Sequence, residues 1–199
     1  MPSDACHKCG APETLTRLEN VPLCDRCANT RLAELTGYPE LPDPPAPLML
    51  QDADGRSRTL HFRVWRAPTG IVAEVEETGV PVGSGYQRSV LGSHDADVNE
   101  LVARLCSVAG EEILRSYLVP NPHRPGWLVE DSLVEGRLVW CDGEEVGTPY
   151  NVVVDGRILS WEDFGRSLES YEGWRIRVEL LDRVEDARPD AIVIPLSSP

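Results

Sequence analysis

Apolar and polar residues alternate along Thr59–Arg66. Leu60, Phe62 and Val64 fall on one face, and His61, Arg63 and Trp65 on the other. Period-two alternation predicts a half-buried strand. It resumes over 71–77, with Ala73 and Val75 set against Val72, Glu74 and Glu76, and Ala67-Pro68-Thr69-Gly70 between the two runs predicts a turn. A hairpin closed over that turn sets Arg66 opposite Ile71, Arg63 opposite Glu74, Phe62 opposite Val75 and His61 opposite Glu76. Apolar residues then meet apolar ones and bases meet acids, which favours this register. Tyr86 to Leu91 predicts a third strand.

The period then changes. Asp97-Val98-Asn99-Glu100 reads as a capping box, and Val98, Leu101, Val102, Leu105, Ala109 and Ile113 form a helical stripe that Gly110 weakens. After the connector Asn121–Gly126, Leu133 to Cys141 is apolar on both faces and predicts a central strand. Tyr150 to Val154 predicts another, ended by Asp155-Gly156. Ser160-Trp161-Glu162-Asp163 opens a second helix expected to bury Trp161, Phe164 and Leu168 and to stop at Gly173. Trp174, Ile176, Val178 and Leu180 then alternate with Arg175, Arg177 and Glu179, predicting a half-buried strand. The tail from Asp182 is polar and proline-punctuated apart from Ala191–Ile194. Strands and helices follow without a regular βαβ repeat, so the expected class is α+β, a mostly antiparallel sheet with two packed helices.

Proline punctuation divides the chain. Five prolines fall within Tyr38–Pro47, a stretch that favours an extended, semi-rigid spacer. The expected organisation is a small unit over 1–37, a linker over 38–47 and an α+β domain over 48–199, itself divisible into 48–120 and 127–185. No apolar run is long enough to span a membrane. The first residues lack the basic-then-apolar pattern of a secretory signal, so a cytoplasmic location is expected. The oligomeric state is open.

Composition narrows the partners. Across 199 residues, 19 bases against 33 acids give a net charge of −14, which repels nucleic acid and anionic membranes. Lys8 is the only lysine, a composition that reads as a GC-rich bacterial genome.

The sharpest chemistry lies in residues 1–37. Cys6-His7-Lys8-Cys9 and Cys24-Asp25-Arg26-Cys27 are two CxxC pairs, fourteen residues apart. Four thiolates at this spacing can meet one tetrahedral metal ion, and in a reducing compartment such pairs hold metal more often than disulfides. The site expected is one structural zinc on Cys6, Cys9, Cys24 and Cys27; rubredoxin-type iron and a redox dithiol are the other readings. A unit of this size buries too little apolar surface to fold unaided, and zinc contributes roughly 10–16 kcal/mol to finger peptides. Cys9-Gly10 suits a tight knuckle. Leu15–Leu23 suits a hairpin around Glu19-Asn20, and Cys24–Leu35 a helix with Ala28, Leu32 and Leu35 on one side. His7 is read as exposed or outside the ligand set.

Residues 6–36 resemble the four-cysteine treble-clef and zinc-ribbon fingers, nearest to the N-terminal zinc domain of the ClpX unfoldase family. There too a CxxC with a following glycine leads through a hairpin to a CxxC that opens a helix. The resemblance implies zinc on the same four cysteines. It covers about a sixth of the chain, no ATPase motif follows, and it implies a metal fold but not an activity.

Other constellations are weaker. Arg56, Arg58, Arg63 and Arg66 could hold phosphate, but Glu74 and Glu76 neutralise that hairpin face. Asp52-Ala53-Asp54-Gly55 lacks the later ligands of a calcium loop and reads as a turn. Ser93-His94-Asp95 has triad residue types without triad spacing. Gly83-Ser84-Gly85 fits neither a P-loop nor a nucleophile elbow. Cys106 and Cys141 read as buried structural cysteines, and Asp142, Glu144 and Glu145 as a solvated turn. The finger carries four bases against five acids, which disfavours nucleic acid. The expectation is a non-catalytic zinc-binding protein that contacts a protein partner through its finger or its acidic domain, a basic partner surface suiting the charge. A finger that reads DNA or RNA and an enzyme with an unrecognised site in 48–199 are the alternatives.

Overall fold

A computed structural model describes residues 5–12, 16–18, 20–140, 150–182 and 184–186. Its chain class is α+β. The strands are β1 Thr16–Leu18, β2 Val21–Leu23, β3 Leu48–Gln51, β4 Ser57–Ala67, β5 Gly70–Glu77, β6 Gln87–Gly92, β7 Leu118–Pro120, β8 Trp127–Val129, β9 Arg137–Trp140, β10 Tyr150–Val154, β11 Arg157–Ser160 and β12 Val184–Asp186. The helices are α1 Asp25–Thr36, α2 Val98–Ile113 and α3 Trp161–Ser167, followed by a 3-10 turn at Glu169–Tyr171.

The largest sheet runs β12-β6-β5-β4-β3, antiparallel except where β12 lies parallel to β6. The β4–β5 hairpin has the register that cross-strand matching favours: Arg66 opposite Ile71, Arg63 opposite Glu74, Phe62 opposite Val75 and His61 opposite Glu76. Gly70 is required at its turn. A Cβ there would lie 1.9 Å from the Gly92 carbonyl oxygen, so no side chain fits. Leu60, Phe62, Val64, Ala73 and Val75 form a core with the buried stripe of α2, namely Val98, Leu101, Leu105, Ala109 and Ile113. The Asp97 carboxylate accepts the Asn99 N–H as the helix cap, and α2 runs through Gly110 to Ile113.

A second core lies under α3. Leu118, Val129, Val152, Val154 and Leu159 come from β7, β8 and the sheet β11-β10-β9, and Phe164 and Leu168 cover them. Asp155 and Gly156 both take positive φ, as a two-residue hairpin turn requires. The buried Asp155 carboxylate accepts N–H groups of Tyr117 and Leu118 at 3.0 and 2.9 Å, tying this turn to the chain leaving α2. Ser160 caps α3 by accepting the Asp163 N–H.

Four expectations are corrected. Among the described residues the apolar run from Leu133 yields only β9, at the edge of its sheet, with Leu138 and Trp140 exposed; apolarity on both faces does not by itself make a strand central. Trp161 is exposed, because α3 is short and turns Phe164, Ser167 and Leu168 inward instead. Residues 174–182 form no ladder, and their apolar row stands in solvent. Leu35 of α1 is likewise exposed. The readings at Leu15, Glu19, Cys141, Asp142, Glu144, Glu145 and Ala191–Ile194 lie outside the described residues. No helix among the described residues is long and apolar enough to cross a membrane.

Candidate metal centre

Three short elements bring the cysteines together. The first pair sits on a knuckle: the Gly10 N–H donates to the Cys6 carbonyl at 2.8 Å, and the Cys6 N–H to the Ala11 carbonyl at 2.7 Å. Gly10 takes φ 75°, the left-handed turn that a following glycine permits. The β1–β2 hairpin then reverses the chain. Cys24 is the N-cap of α1 and Cys27 lies in its first turn, where the helix end favours anionic sulfur.

The four Sγ atoms lie within 4.8 Å of one another, and Cys9 and Cys24 Sγ are 3.7 Å apart. A tetrahedral ion with bonds near 2.3 Å requires sulfur separations of about 3.8 Å. The tetrad can therefore hold a metal ion. The described cysteines form no disulfide. Cys6 and Cys27 are buried, and only Leu23, Ala28 and a few half-buried neighbours pack with them. Backbone N–H groups, the Cys24 amide first, pull the Cys6 thiol down to about 6. Burial raises Cys24, and burial with the neighbouring thiols pushes Cys27 up to about 12. Without a cation, then, one sulfur ionises readily and its neighbours resist; a bound cation reverses that resistance. His7 is exposed.

The unit is docked, which its sequence did not announce. β3 pairs with β4 only from Ser57 to Leu60, leaving the far half of that edge open. The Asn29 side chain of α1 closes it, donating Nδ2–H to the Val64 carbonyl at 2.8 Å and accepting the Arg66 N–H at 3.3 Å. An amide offers one donor side and one acceptor side, as a missing strand residue would. Asp25, next to ligand Cys24, takes two bonds from Arg63 at 2.7 and 3.1 Å, and Arg63 also reaches buried Glu74 at 3.2 Å. The proline segment carries no helix or strand, and its first residues lie against the sheet. Arg66 covers the Tyr38 ring and donates to the carbonyls of Pro39 and His94, while Tyr38 stacks on His94 at 4.9 Å.

The weaker constellations take ordinary places. Arg58 pairs with Asp52 and Glu77, and Asp52 also accepts the Asp54 and Arg56 N–H groups, so this loop is a turn. Ser93 Oγ bonds Asp95 while His94 Nε2 faces the Pro68 carbonyl, which is no triad. Ser84 Oγ bonds the Pro81 carbonyl in a turn. Cys106 packs half-buried beside the larger core, its thiol raised by burial. The interfacial residues Asn29, Arg63 and Arg66 escaped sequence reading. The one usable signal was an asparagine beside Ala28 on the inner side of a helix.

Two stretches match families without a described role. Residues 42–112 match a domain of unknown function (DUF7686), and residues 117–185 match another (DUF7713). The first match spans β3 to β6 and nearly all of α2; the second spans the core under α3. The cysteine unit precedes both. No curated protein and no solved structure matches the chain.

Proposed function

We propose that Cys6, Cys9, Cys24 and Cys27 bind one structural zinc ion, and that the protein is a non-catalytic module for contact with another protein. One observation carries the reading: four thiols from a knuckle and a helix start converge at tetrahedral spacing. Four thiolates complete the coordination of zinc and leave no position for a water nucleophile. Knuckle, hairpin and helix in that order are the parts of a treble-clef finger, in keeping with the resemblance to the ClpX-type zinc domain. The arginines that could have met phosphate are engaged: Arg56, Arg58 and Arg63 by carboxylates, Arg66 by carbonyls. With a net charge of −14, the chain suits a partner with a basic surface.

Metal analysis of the purified chain, with Cys27→Ser beside it, tests the centre. One zinc per wild-type chain and none in the variant supports it; a wild-type chain without metal, or with iron alone, overturns it. Capture from the native host with both baits tests the role. Nuclease-resistant protein capture that depends on the intact centre supports it. Salt-sensitive binding of DNA or RNA by the wild-type chain would move the protein to the nucleic-acid class.

A further inference from the structure

Tyr117 lies just beyond α2 and is 9% exposed. Its hydroxyl oxygen is buried and has no hydrogen-bond partner among the described residues; Arg115 and Glu135 come near it without bonding geometry. Burial raises this phenol above its usual range, so it keeps its proton and can both donate and accept. A buried hydroxyl left unpaired carries the full cost of its desolvation, and for that reason such groups are nearly always met by protein or by water.

The surroundings favour water. Tyr117, Glu135, Arg137 and Asp155 line a cavity of about 20 Å³ together with Tyr86 and Glu112. Glu135 both lines this cavity and approaches the hydroxyl, which places the hydroxyl on that side of it. One water needs about 10–15 Å³ and two to four polar partners, and a larger ligand does not fit. Charge argues against an ion. Each lining carboxylate already has an arginine: Glu112 pairs with Arg88, Glu135 faces Arg115 at 3.8 Å, and Asp155 faces Arg157 at 3.9 Å. Arg137 gives its donors to the Gln87 side chain and to the carbonyls of Gly83 and Gly85. A neutral molecule that both donates and accepts suits such a lining.

The place gives the site its consequence. Tyr86 and Glu112 belong to the stretch matched by the first family, and Tyr117, Glu135, Arg137 and Asp155 to the stretch matched by the second. Direct bonds already join the two stretches beside the cavity, the Gly85 N–H donating to the Gly156 carbonyl at 2.9 Å. We propose that the cavity is a binding site for one internal water molecule, bonded to the Tyr117 hydroxyl and to a lining carboxylate, which helps to close the joint between residues 42–112 and 117–185. The inference is independent of the metal reading.

A high-resolution crystal structure of the full chain tests it, with urea unfolding of Tyr117→Phe beside it. The expected result is a single water within hydrogen-bond distance of Tyr117 Oη and of at least one lining carboxylate. The variant keeps the ring and its packing and loses only the hydroxyl. It should lower the folding equilibrium constant about 2- to 10-fold, the worth of the hydrogen bond that the water makes. A cavity without a water, an ion in its place, or a hydroxyl bonded directly to Glu135 or Arg115 overturns the proposal. So does a variant as stable as the wild type or more stable, which is the sign expected of a hydroxyl buried dry.

Discussion

Asn29→Ala removes the side chain that seals the open half of the β4 edge. The asparagine, Val64 and Arg66 are each no more than 9% exposed, so water does not freely replace the lost partners. Leaving a buried backbone group unpaired costs about 1–3 kcal/mol. Two are left: the Val64 carbonyl, bonded at 2.8 Å, and the Arg66 N–H, bonded at 3.3 Å and so nearer the low end. Together they cost about 3 kcal/mol, and the higher helix propensity of alanine returns about 0.5 kcal/mol. The net of about 2.5 kcal/mol is about 70-fold in the equilibrium between docked and undocked α1. Native-state hydrogen exchange reads this at one atom. The Arg66 amide should exchange about 70-fold faster in the variant, while the Ala73 amide in the sheet interior changes little. Protection at Arg66 that stays within twofold of wild type would refute the claim that Asn29 holds the helix to the sheet.

Metal affinity should depend steeply on pH. Cys24 is raised and Cys27 stands at about 12 without metal, so both keep their protons at pH 7 and must release them on binding. The logarithm of the binding constant should therefore rise by at least about two per pH unit near neutrality, measured by chelator competition; a slope of one or less contradicts the tetrad. Stripping the metal should melt α1, seen as lost far-UV ellipticity, with the two larger cores retained; full retention of α1 would show a unit stable without its ion. Arg63→Met should cost about 2–4 kcal/mol in urea unfolding at pH 7, because it removes the half-buried guanidinium that pairs with both Asp25 and Glu74. A loss below about 1 kcal/mol would argue that packing, not charge, holds this contact.

Legibility followed the range of the interactions. The cysteine set is readable because ligand type and spacing lie within single turns. The β4–β5 register is readable because a short turn puts each residue against a partner a few positions away, where charge and apolarity decide. The same pattern gave no guidance at Leu133–Cys141 or at Trp174–Leu180. Alternation defines which residues share a face, but not whether another element covers it.

By itself the sequence determined local matters: the α+β class, the four cysteines that cluster, the hairpin, and the stripe and cap of α2. These depend on backbone period and on contacts close along the chain. Only the tertiary structure decided what each face meets. It set β9 at an edge and laid β12 parallel to β6. It also docked the cysteine unit through Asn29, Arg63 and Arg66, and among the described residues gave 174–181 no strand partner. A polar side chain has no period to betray its partner, which is whatever donor or acceptor the folded chain brings within reach.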